Sequence, residues 1–170
     1  LIEAAIVLGV VGLVIGGIWV GAAALKNNLR LNNAVTGLTM MKDGAGSLFT
    51  AYVIEQLGGF DINRNSTSIA AGIVPADWVK GASIRDPWGE SLDITTSIAD
   101  SYPTRIDICF SNVPVSRCKG LISRVPTTGS DMIGVWANPT FYTTLPISHD
   151  GPICNRSHTQ FCFVYRPKSR

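Results

Sequence analysis

The sequence predicts an α+β protein: a long N-terminal α-helix, apolar in its first half and amphipathic in its second, packed on a C-terminal antiparallel β-sheet domain with short helices. Three observations predict it. Ala4–Leu25 is an uncharged apolar run. Apolar residues then recur at spacings of three and four, as on one face of a helix. The rest of the chain breaks into short strand-like segments separated by Pro and Gly.

The apolar run has 22 residues, and a membrane-spanning helix needs about 20. It is longer than the core of a cleavable signal, and no basic stretch leads it. Trp19 stands near its far end, where an interface aromatic belongs. Of the 14 basic and 12 acidic residues, only Glu3 falls in the first 25 positions. A carboxylate buried unpaired in lipid costs several kcal/mol, so Glu3 demands a partner or a polar boundary. Gly12-x-x-x-Gly16 and Gly17-x-x-x-Gly21 have the small-x-x-x-small spacing that lets helices approach closely, and Gly9 and Gly12 mark points of loosening.

Lys26 and Arg30 follow the run. By the positive-inside tendency they place the C-terminal part in the cytoplasm. Four cysteines, all in the second half, instead imply disulfides in an oxidising compartment. A basic leader ahead of Leu1, later removed, reconciles the two, so a processed precursor is expected.

The helix continues through Leu31, Val35, Leu38, Met41, Ala45, Leu48 and Tyr52 to a stop at Gly58-Gly59, with Gly44-Ala45-Gly46 as a bend point. The boundaries are therefore 1–25 for an apolar membrane or core segment, 26–58 for its amphipathic continuation and 59–170 for a globular head.

In the head, Asn63–Ser68 reads as a polar connection and Asp86-Pro87-Trp88-Gly89 as a turn. Ser91–Thr95, Arg105–Phe110, Met132–Trp136 and Gln160–Tyr165 read as strands. A short helix is entered through Pro114 and carries Cys118. Trp88 and Trp136 read as packing residues.

A net charge of +2 offers no footprint for nucleic acid. The basic residues of the last third, among them Arg117, Lys119, Arg124, Arg156 and Arg166, read as a solvated face. His149, Asp150 and His158 stand near many serines, but there is no G-x-S-x-G elbow. The cysteines form no C-x-x-C pair, and His149…Cys154…His158…Cys162 is not a known zinc spacing. No enzyme activity, metal or cofactor is expected.

Leu1-Ile2-Glu3, the charge-free run and its amphipathic continuation resemble the N-terminal helix of type IV pilins over residues 1–30. Cys118-Lys-Gly-Leu-Ile on a helix, with a late Cys154 followed by a terminal strand, looks like the type IVb branch. That branch includes toxin-coregulated, bundle-forming and thin conjugative pili. The resemblance implies a subunit cut by an inner-membrane prepilin peptidase, methylated at its new N-terminus and assembled by pilus machinery. The product is a helical homopolymer on the surface of a Gram-negative cell, supporting adhesion, aggregation or conjugative mating contact. Minor pilins or a tip adhesin are further partners. The carboxylate matching Glu3 contacts the N-terminal amine of a neighbouring subunit. Two departures stand out: the family usually has residues ahead of this glutamate that are not seen here, and Ala4–Leu25 lacks the proline that type IVa relatives often carry.

The resemblance also implies Cys118–Cys154, which leaves Cys109 and Cys162 to pair across neighbouring strands. Four cysteines allow other connectivities, the rival being Cys109–Cys118 with Cys154–Cys162. Asp86-Pro87-Trp88-Gly89 resembles a stretch of secretion pseudopilins whose neighbouring loop can hold calcium. The competing readings are thus a minor pilin or type II secretion pseudopilin and, in another class, a single-span membrane-anchored binding protein.

Overall fold

A computed structural model describes residues 2–51, 65–97, 105–125, 131–143 and 152–166. The first element, α1, is one continuous helix of 50 residues, Ile2–Ala51, about 75 Å long at 1.5 Å per residue. It runs unbroken through Gly44-Ala45-Gly46, the expected bend point. The expected stop at Gly58-Gly59 lies outside the described residues, as does Tyr52.

After α1 come a short helix α2 (Asn65–Ala70) and a 3-10 turn (Ala76–Trp78). A small hairpin follows, β1 (Val79–Lys80) with β2 (Ser83–Ile84). The remaining elements are β3 (Leu92–Ser97), β4 (Arg105–Val113), α3 (Val115–Ile122), β5 (Met132–Ala137), β6 (Thr140–Tyr142) and β7 (His158–Tyr165). All the expected strands and the Pro114-led helix are among them. The reading of a plain polar connection is corrected from residue 65 on: Asn65–Ala70 is helical, with Ser68 buried, while 63 and 64 lie outside the described residues.

Strands β3 to β7 form one antiparallel sheet in the order β3-β4-β7-β5-β6. Its register stacks two apolar rows. Leu92, Phe110, Phe161 and Ala137 lie side by side, and so do Ile94, Ile108, Phe163 and Val135. All eight are buried and belong to the core. Within it Phe163 meets Phe110 and Phe161 edge-to-face, with ring centroids 6.2 and 5.3 Å away, the offset that the ring quadrupole favours.

The second half of α1 covers this face. Leu31, Ala34, Leu38, Met41 and Ala45 are buried at spacings of three and four. Ala34 was not in the expected stripe, whereas Val35, which was, sits half-buried at its edge. Burying a side chain such as Leu38 contributes about 1.5–3 kcal/mol. Glycines set the close approaches. A Cβ on Gly37 would lie 2.5 Å from the Trp78 ring, and one on Gly44 would lie 2.9 Å from Ile73. Gly44 thus permits contact, not a bend. From the other side, Gly120 of α3 accepts Leu31.

Two disulfides staple the head. Cys109–Cys162 joins directly opposed residues of β4 and β7, with Cα atoms 4.0 Å apart. Cys118–Cys154 ties α3 to the 3-10 turn Pro152–Cys154, with Cα atoms 5.6 Å apart.

Candidate assembly surface

None of the residues from Glu3 to Leu29 is buried; Arg30 is the first to be even half-covered. This stem is about 40 Å of helix at 1.5 Å per residue. It carries Ile6, Leu8, Val10, Leu13, Ile15, Ile18, Trp19 and Val20 on every side, with Leu13 79% and Trp19 75% exposed. Its mean hydropathy reaches 2.4 over an 18-residue window with none of that window buried, so it is long and apolar enough to cross a membrane. A soluble monomer rarely shows more than a few hundred Å² of contiguous apolar surface. The stem's natural surroundings are therefore lipid or other protein.

Its glycines sharpen the point. A Cβ on Gly9, Gly12, Gly16, Gly17 or Gly21 would meet nothing within 4 Å. Each costs up to about 1 kcal/mol of helix stability relative to alanine, and no contact within the subunit requires it. At 3.6 residues per turn, Gly9, Gly12 and Gly16 share one face, while Gly17 and Gly21 lie about 120° round the helix. Glu3 is exposed in the first turn, where an acid is favoured by the positive end of the helix dipole.

Where the stem meets the head, Arg124 clamps it. Its Nη1 donates to the Asn28 carbonyl at 3.3 Å and to Asn32 Oδ1 at 2.7 Å, and its Nη2 donates to Asn28 Oδ1 at 2.9 Å. Arg124 is exposed, as the reading of a solvated face expects, and it also bonds to the stem. The available signal was the Asn28/Asn32 pair one helical turn apart, but it named no partner. Arg117 is likewise engaged, over the Trp88 ring at 4.9 Å, whereas Arg156 and Arg166 are exposed.

The Asp86 turn is structural. Asp86 Oδ1 accepts the backbone N–H groups of Trp88 and Glu90, each at 2.9 Å, and the Asp86 carbonyl accepts that of Gly89 at 2.8 Å. Gly89 supplies the φ of +89° that closes it. Burial raises the Asp86 pKa, and those N–H bonds and Arg117 oppose the rise. Among the described residues no three His, Cys, Asp or Glu side chains are grouped to hold a metal. His158 is buried with its Nε2 against the Ile153 carbonyl, and its neighbours Cys154 and Cys162 are consumed in disulfides. His149 and Asp150 lie outside the described residues.

On the sheet face away from α1, Asp107 is nearly covered. Burial raises its pKa, opposed by Arg105, whose Nε lies 3.3 Å from Oδ2. Its Oδ1 has no hydrogen-bond partner among the described residues. At the core's edge, burial pushes the Tyr165 hydroxyl far up, and Asp43 adds to it.

No protein-family model matches the chain, and no curated protein is similar to it.

Proposed function

We propose that the chain is a structural subunit of the type IVb pilin kind, polymerising into a helical filament whose core is the bundled stems. The observation that carries this reading is the contrast between its two sets of helix glycines. Those at Gly37 and Gly44 each face a side chain of the same subunit, while a Cβ on any of the five in the stem, or on Gly46 beyond the head contact, would meet nothing within 4 Å. Small residues in an exposed apolar helix favour close helix–helix approach. Two glycine faces on one stem suit a bundle in which every stem touches neighbours on more than one side.

In this reading the stem first rests in a membrane and then exchanges lipid for other stems. Glu3 is the docking group: exposed at the polar boundary before assembly, it pairs with a cationic group, the neighbour's N-terminal amine, afterwards. The head, stapled by two disulfides, forms the outer layer. Adhesion, aggregation or mating contact belongs to that layer.

Electron microscopy of fibres sheared from cells, with mass spectrometry of their subunit, tests the proposal. It expects filaments built from this chain as the single repeating component. Presence at only a few copies per fibre would assign it to a minor pilin or pseudopilin. A chain that stays monomeric in membrane and binds a soluble ligand would assign it to the anchored binding class.

A further inference from the structure

Beside the point where α1 enters the head lies a cleft of about 510 Å³, and no role in fold or filament has been given to it. Arg30 and Asn33 of α1 form one wall; Lys80 and Arg85 from the β1–β2 region and Trp88 from the Asp86 turn form the rest. Lys80 and Arg85 are exposed and Arg30 is half-exposed. Arg85 donates to the Gly89 carbonyl at 3.2 Å, which fixes its stem and leaves a charge on the rim. The cleft also contains Asp77 and Asp86. Asp86 is buried and its Oδ1 is taken by the turn, so among the cleft's lining residues Asp77 is the one exposed acid against three cations. The Trp88 indole N–H is buried and has no acceptor among the described residues.

The position of the cleft matters as much as its charge. The apolar run ends at Leu25, and Arg30 lies five residues further on, about 7.5 Å along the axis. The headgroup layer on each side of a bilayer is about 5–7 Å deep. Lys26 is one turn below Arg30 on the same side of the helix. A stem spanning a membrane therefore presents Lys26, Arg30 and the cleft to the phosphate layer. We infer that this cleft binds the phosphate headgroup of an anionic phospholipid, seating the head on the membrane before assembly. Guanidinium and ammonium groups supply the charge that such headgroups attract, and Trp88 places an indole in the cleft wall at an interfacial depth suited to it.

The inference rests on the membrane-anchored state of the proposed subunit, and the test separates the two. The full chain is placed in phosphatidylcholine nanodiscs with increasing phosphatidylglycerol, and the Trp88 indole N–H is followed by NMR. A saturable shift with phosphatidylglycerol is expected, with none in phosphatidylcholine alone or on adding inorganic phosphate. The triple variant Arg30→Gln, Lys80→Gln, Arg85→Gln should bind about a hundredfold more weakly, so that its response no longer saturates with phosphatidylglycerol. An equal response to phosphatidylcholine, a response to free phosphate alone, or an unchanged response in the variant overturns the inference. Flotation with phosphatidylcholine vesicles reads the anchored state independently. A wild-type chain that floats without a phosphatidylglycerol response sinks the cleft assignment alone, and one that does not float sinks both.

Discussion

At the scale of single residues, the same amino acid carries opposite roles in two halves of one helix. Gly37→Ala puts a methyl group 2.5 Å from the Trp78 ring, and such overpacking costs about 1–3 kcal/mol. Gly16→Ala meets nothing and adds up to about 1 kcal/mol of helix propensity. Denaturant unfolding of the two variants should show the head weakened by the first and not by the second, while filament yield falls with the second. Glu3→Ala is expected to abolish or strongly reduce assembly with the head's circular dichroism unchanged; normal filaments from that variant would remove Glu3 from the docking role. Asp107 offers a pH test. Its folded pKa is raised by burial, so the folded state binds the extra proton. Stability then falls as pH rises from the unfolded carboxylate pKa through the folded one. Asp107→Asn should therefore flatten that slope in melting curves, stabilising the head at neutral pH relative to wild type and not below the carboxylate range.

At the scale of elements, legibility followed length and periodicity. The long helix, four strands of the main sheet and the Pro114-led helix were readable because each carries its own repeat or turn signal. The hairpin Val79–Ile84 was not. Its strands are two residues each, too short for any alternation to register, and Trp78 seated on Gly37 anchors its approach. The six-residue helix Asn65–Ala70 hid in a polar stretch, its place set by burial of Ser68 and half-burial of Ile69. For the same reason Glu3 and the stem glycines could be named from sequence, but the cleft at Arg30 could not, since it joins residues about fifty positions apart. The Cys118–Cys154 bond holds α3 to the 152–154 turn across a separation of 36 residues, a closure worth about 4 kcal/mol on a chain-entropy estimate. Replacing both cysteines by alanine should lower the melting temperature of the head by a corresponding margin.

At the scale of the whole molecule, stem and head share a backbone but little else. No residue from Glu3 to Leu29 is buried, so deleting 1–29 removes no core contact. The truncated head should be soluble and monomeric by sedimentation, and fold with its melting temperature changed by only a few degrees, about the effect of losing the Arg124 clamp. A head that unfolds on truncation would show that the stem supports the fold.

The unbroken run of α1 from stem to sheet also decides how the subunit carries tension. In the proposed filament, a pull would reach each head along the helix axis, parallel to the strip formed by Leu31, Ala34, Leu38, Met41 and Ala45. The strip is loaded in shear, so its contacts must slip together instead of peeling one by one. Gly37 against Trp78 and Gly44 against Ile73 act as detents along that slide. In the proposed filament the subunit would act as a tension member, its grip lying in side-chain interlock along the helix.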